Sequence, residues 1–250
     1  FYALVALSGL TMAIKQAANS PAITLAALAA TAVGSWLFVR RQNRLDDPLL
    51  TFDIFRSRLF TGGVLAAAGG MFVLAGAELM TTQKLQLVDA LTPLTAGATV
   101  AVMALSAIPA SVLGGAYLHK IGFLPLIAGG FAGAVVGAVA LVAGWTSIGM
   151  VLLGLSAGSV MSVSSIAIIG SAPMHRSGMA AGVEEVSYEL GTLITVALTG
   201  SLLQAALDRG ADYTAAYNQV IGVLAAGAAC FAVATWWCFR DNPKSGGVDA

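Results

Sequence analysis

Four acidic residues stand in stretches of this chain that are otherwise almost wholly apolar: Glu78, and then Glu184, Glu185 and Glu189 close together. No Lys or Arg accompanies them within those stretches. A carboxylate in apolar surroundings is costly, so acids in such places usually hold a proton, meet a cation or border a water path. On a helix advancing by about 100° per residue, Glu185 and Glu189 lie roughly 40° apart and share a face with Gly182, while Glu184 shares another with Tyr188, Thr195 and Thr199. The chemistry open to this group is reversible binding of protons and of organic cations, with the Tyr188 ring offering a π face to a cation. The plainer alternative is that the carboxyls are neutral and hydrogen-bond to neighbouring helices as structural glue, a reading that weighs most on Glu184 and Glu78.

The elements that must position these acids follow from composition. Of the 250 residues, 58% are hydrophobic and 10% are charged, against roughly 25% charged in a soluble domain. Repeated uncharged stretches are about as long as a bilayer is thick, which in lipid requires helices or a closed barrel, and no alternating strand period is present. Charges, Pro and Gly punctuate the chain into eight expected spans near residues 1–14, 22–39, 60–82, 93–117, 121–143, 147–171, 179–205 and 214–239. Ser20 before Pro21 and Thr92 before Pro93 place a capping oxygen ahead of a proline at the first helical position. With entry near Gly178 and a rise of about 1.5 Å per residue, Glu184 and Glu185 come roughly 10 Å deep and Glu189 roughly 17 Å, near the midplane. Glu78 lies roughly 27 Å into its span on the same basis.

Orientation follows from the basic residues. One side of the spans receives Arg40, Arg41, Arg44, Arg56, Arg58, Lys120, Arg176, Arg240 and Lys244, and the other only Lys15, Lys84 and Arg209. The positive-inside rule makes the first side cytoplasmic, with both ends of the segment on it, Trp145 at the outer interface and Trp36, Trp236 and Trp237 at the inner one. Between Arg40 and Phe60 a polar connection carries Asp47 and Pro48, expected to start a short surface helix with Leu49, Leu50, Phe52, Ile54 and Phe55. Glycines at spacing four (Gly129, Gly133 and Gly137; Gly154 and Gly158; Gly178 and Gly182) predict close approach of helix backbones.

Other chemistries find little support. Net charge is zero, which gives no sign of a nucleic-acid partner. Cys230 and Cys238 sit in the last apolar stretch as packing residues, and His119 and His175 lack metal-ligand spacing. No phosphate-cradling glycine loop, nucleophile elbow or zincin motif is present, so neither catalysis nor a cofactor or metal is expected. The chain opens at Phe1 inside an apolar run, which suggests a piece of a longer polypeptide.

Three segments carry a resemblance to the major facilitator superfamily, and specifically to its fourteen-helix drug:proton antiporters. The run from Gly115 through His119 and Lys120 to Gly122 is similar to the superfamily's cytoplasmic loop motif, with His119 where the motif has Asp. The run Asp47 to Arg56 resembles the surface helix after the two central spans, and Gly182 to Gly191 resembles the penultimate helix. The resemblance covers essentially the whole chain. It implies an all-α transmembrane fold: two extra central helices (1–39), a linker with a surface helix (40–58), a C-terminal six-helix transport domain (59–240) and a cytoplasmic tail (241–250). It also implies efflux of lipophilic cations, such as quaternary ammonium compounds, biguanides and viologens, in exchange for protons. Glu184, Glu185 and Glu189 would recognise the cation, an N-terminal six-helix domain would be the partner, and a bacterial inner membrane the location. The family's proline-and-glycine antiporter motif belongs to the N-terminal domain and is absent from this chain. The competing readings are a major facilitator exporter of another small molecule, such as a siderophore, lipid or amino acid, and a non-transporting membrane component assembled through its glycine faces.

Overall fold

The computed structural model describes residues 2–16, 20–42 and 52–240, and among these every regular element is helical. The helices are α1 (Tyr2–Gln16), α2 (Pro21–Gln42), α3 (Arg58–Leu87), α4 (Pro93–Ile121), α5 (Phe123–Val142), α6 (Thr146–Gly170), α7 (Ser177–Asp208) and α8 (Tyr213–Phe239), with short 3-10 turns at Phe52–Arg56 and Met174–Arg176. Seven of them, α2 to α8, are long and apolar enough to cross a bilayer. α1 is shorter, its apolar part running from Leu4 to Ala13. Every expected span is therefore a helix. Several overrun their apolar stretch at both ends, because a helix continues into the headgroup region until a cap or corner stops it.

Those stops are local. Thr92 caps α4 as expected, its hydroxyl accepting from the Thr95 N–H. Ser57 and Asp212 cap α3 and α8 in the same way, accepting from the Phe60 and Thr214 N–H groups. Gly122, Gly144 and Gly210 turn corners with φ of 89°, 85° and 83°, where a side chain would strain the backbone. The α3–α4 corner makes its left-handed step with Ala90, at φ 52°.

The chain divides into two compact units between Ile54 and Phe55, inside the 40–58 stretch read as a linker. In the first, α1 and α2 form a hairpin drawn together by Gly9 against Ala27 and Thr31, and by Gly34 against Tyr2 and Ala6. In the second, α3, α6, α5 and α8 close a four-helix ring, with α4 packed mainly on α6 and α7 mainly on α3. This pattern is unchanged when α3, α4 and α5 are exchanged for α6, α7 and α8, so the six helices are two three-helix repeats. The ring core is filled by Phe60, Phe131, Phe239, Met80, Ile127, Leu153, Ile168 and Leu224, all fully buried. In lipid no hydrophobic drive gathers helices, so association depends on close backbone approach and dispersion. Gly154 and Gly158 of α6 lie against the Met103 and Ala107 carbonyls of α4, and Gly191 of α7 against the Ala68 carbonyl of α3.

The glycine expectation holds for Gly133, Gly137, Gly154 and Gly158 and fails for Gly129, Gly178 and Gly182, where an added Cβ would meet nothing within 4 Å. Spacing alone marks a smooth stripe, and the tertiary arrangement decides whether a neighbour uses it. The surface-helix expectation is met only in part. Phe52–Arg56 is a 3-10 turn with Ile54 buried and Phe55 edge-on to Phe60, at 5.2 Å between ring centroids. Asp47, Pro48, Leu49 and Leu50 lie outside the described residues, as do Arg44, the Lys15 side chain and the tail at 241–250 with Lys244.

Candidate cation and proton site on α7

α7 shows two faces with different environments. Ala180, Glu184, Ser187, Gly191, Thr195, Thr199, Leu203 and Ala206 are buried, a stripe at steps of three and four that packs chiefly on α3. The opposite face carries Glu185, Glu189 and Val196, all exposed, with Gly178, Gly182 and Gly200 between them. Among the described residues, a Cβ added at Gly178, Gly182 or Gly200 would meet nothing within 4 Å on that face. α7 begins at Ser177, so Glu189 lies about 18 Å along its axis, at the depth where lipid or a neighbouring protein surface would surround it.

The three acids of α7 are thus divided. Glu184 is 9% exposed and accepts a hydrogen bond of 2.8 Å from the Tyr188 hydroxyl, one turn further on. Ser164 of α6 is buried and donates its hydroxyl to the Met161 carbonyl, and α7 meets α6 as well as α3. Tyr188 therefore uses its hydroxyl, not only its ring face, and Glu184 is held inside the bundle. Glu185 and Glu189 stand together on the open face, as the helical spacing predicts. Neither lines the small gap inside the ring between Gly70, Val73, Phe131, Leu153 and Val160.

Glu78 is exposed on α3, the helix with the most buried residues in the bundle. It lies two residues beyond Gly76, which meets the Thr195 hydroxyl of α7. The Thr195 oxygen is fully buried and has no hydrogen-bond partner among the described residues, whereas Thr192 and Thr199 each bond a carbonyl one turn back. Ser164 was not singled out in the sequence, whereas Thr195 was placed on the Glu184 face with no sign that its hydroxyl would lack a partner. Hydroxyls scattered through an apolar helix give no sign of which will face a neighbour.

The loop motif occupies the α4–α5 corner. Gly115 packs near Ser162 of α6, His119 is exposed, and Lys120 stands over the Tyr117 ring at 5.6 Å. Gly122 ends α4 and begins α5, its N–H bonded to the Leu118 carbonyl at 2.7 Å. No group of three or more His, Cys, Asp or Glu able to hold a metal occurs among the described residues.

Comparison with known proteins agrees with this architecture. The chain is 34% identical to the multidrug efflux pump LfrA of Mycolicibacterium smegmatis over 251 aligned positions, 93% of this chain and 50% of LfrA. It is 30% identical to the methyl viologen resistance protein SmvA of Salmonella typhimurium, over 67% of this chain and 35% of SmvA. It is also 28% identical to the tetracenomycin C resistance and export protein of Streptomyces glaucescens, over 72% of the chain. The chain belongs to the major facilitator superfamily. It spans at most about half the length of these relatives. No protein-family model matches it. The two three-helix repeats are the form that a half-bundle of this superfamily takes.

Proposed function

We propose that the chain contains the C-terminal transport domain of an exporter that exchanges protons for lipophilic cations, residues 59–240 forming that domain and 1–39 the two central helices before it. One observation carries the reading: Glu185 and Glu189 stand side by side in mid-span, both exposed, on the face of α7 where a Cβ added at Gly178, Gly182 or Gly200 would meet nothing within 4 Å among the described residues. Two carboxyls facing lipid would be costly. Facing a second six-helix domain across a central cavity, they have water, a proton or a cation to meet. The names of the relatives support the same direction, since one is a multidrug efflux pump and another a methyl viologen resistance protein. Methyl viologen is a flat dication, and a pair of carboxylates is its chemical complement.

Exchange then needs only competition. A protonated pair has no charge with which to hold a cation. A cation entering from the cytoplasmic side favours the ionised pair and expels the proton. On the outer side the proton returns and releases the cation. Glu184 and Tyr188 support the helix that carries the pair, and Glu78 lies on the adjoining helix as a further station for a proton.

Glu185→Gln and Glu189→Gln keep shape and hydrogen bonding while abolishing titration. In the full-length protein each should leave expression intact and reduce drug-induced proton release and cell resistance by roughly tenfold or more, about 1.4 kcal/mol per decade. Undiminished release and resistance in the double variant would sink the proposal.

A further inference from the structure

The end of the bundle where α3 begins and α8 finishes carries an arrangement that drug export does not require. Trp236 and Trp237 are adjacent near the end of α8 and are 48% and 55% exposed, while Thr235, Cys238 and Phe239 beside them are buried. The inward residues are tightly seated. Phe239 stacks on Phe123 at 5.8 Å and 6°, and Gly62 of α3 lies against both Phe239 and Cys238. The two indoles are consequently held outward by a rigid base.

Each indole carries an arginine. The Arg58 guanidinium stands 5.2 Å from the ring centroid of Trp237, reaching it from the first residue of α3, and Arg240 stands 5.9 Å from that of Trp236. A guanidinium has five N–H donors, more than one contact over a ring can use. Both arginines also hold other contacts within the chain, and the site does not need them idle. Beside them, two indole N–H groups offer neutral donors. The result is two guanidiniums, each held over an indole, at the end of the bundle where α3 begins and α8 finishes.

We propose that Arg58, Arg240, Trp236 and Trp237 form a binding site for the headgroup of an anionic phospholipid, with the phosphodiester between the guanidiniums and the acyl chains along the outer surface of α3 and α8. Three observations select this occupant. The charge is positive, the donors suit phosphate oxygens, and the indoles and neighbouring Val233, 67% exposed, provide the apolar flank that an acyl chain needs and a soluble anion does not. Stacking on the rings restricts the arginines in advance, which reduces the ordering cost on binding.

The test uses the full-length protein in nanodiscs, in a W36F/W145F background so that within this segment Trp236 and Trp237 supply the fluorescence. Brominated phosphatidylglycerol and brominated phosphatidylcholine are compared as quenchers at equal mole fraction. The expected result is quenching at a several-fold lower mole fraction of phosphatidylglycerol, a preference lost in R58Q/R240Q and retained in R40Q/R41Q. Equal quenching by the two lipids in the parent protein overturns the proposal, and that comparison stands even where R58Q/R240Q does not fold. A preference that survives R58Q/R240Q overturns it as well. Inorganic phosphate at 10 mM-scale concentration, roughly that of the competing headgroup, should not relieve the quenching; relief would show a site for a soluble anion and reject the lipid.

Discussion

Glu184 and Tyr188 show how one hydrogen bond separates two acids that are neighbours in sequence. Glu184 turns inward and is met by a hydroxyl at 2.8 Å, while Glu185 turns outward and is exposed. Tyr188→Phe should lower the unfolding free energy in detergent by about 0.5–1.5 kcal/mol, the scale of intramembrane hydrogen bonds. Glu184→Gln, whose amide oxygen still accepts, should cost less than half as much, and thermal unfolding of both variants checks the order. A reversed order would mean that the bond is not what holds Glu184. Ala90 offers an independent test. Its φ of 52° is strained for a residue with a Cβ, while its backbone neighbours are fixed by bonds from the Asp89 and Leu91 N–H groups to the Lys84 and Leu85 carbonyls. Ala90→Gly should therefore raise stability by roughly 0.5–1 kcal/mol, the relief of strain exceeding the added freedom of the unfolded chain.

Helix pairs of this unit meet through glycine, and the positions differ in what they tolerate. Gly158 of α6 lies so close to the Ala107 carbonyl that a methyl group has no room. Gly158→Ala should destabilise the bundle by about 1–3 kcal/mol or more, since backbone cannot move aside as a side chain can. Gly182 of α7 has nothing within 4 Å, so Gly182→Ala should be neutral or stabilising by up to about 1 kcal/mol for this unit, Ala being the better helix former. If a second domain covers that face, the same variant should reduce export while leaving expression unchanged. Unfolding midpoints and transport measured on both variants separate packing within the unit from packing across the face.

Taken whole, the six helices from α3 to α8 alternate across the membrane in an order fixed by short corners, so placing one corner places them all. Single cysteines at Lys120 and Asp208, in a background of C230S and C238S, test the assignment. A membrane-impermeant maleimide should label the Asp208 position in intact cells and the Lys120 position only after permeabilisation. The reverse pattern would invert the topology and move the Arg58 and Trp237 end to the outer surface.

The sequence by itself determined the helices, since uncharged runs of bilayer length leave the backbone no other hydrogen-bond partners. It also determined many of their ends, through Thr92 before Pro93 and through Gly122, Gly144 and Gly210 at corners. The acids were legible for the same reason: a charge in such a run has no routine explanation. What remained hidden was which side of each helix meets protein. In a soluble helix the apolar stripe marks the buried face, but here lipid and protein are equally apolar and side chains around α7 scarcely differ in polarity. Only the tertiary structure decided that Gly191 meets α3 while Gly178 and Gly182 meet nothing, and that Glu184 faces inward while Glu185 and Glu189 face out. That decision rests on backbone approach measured in tenths of an ångström, and residue types along a single chain do not encode it locally.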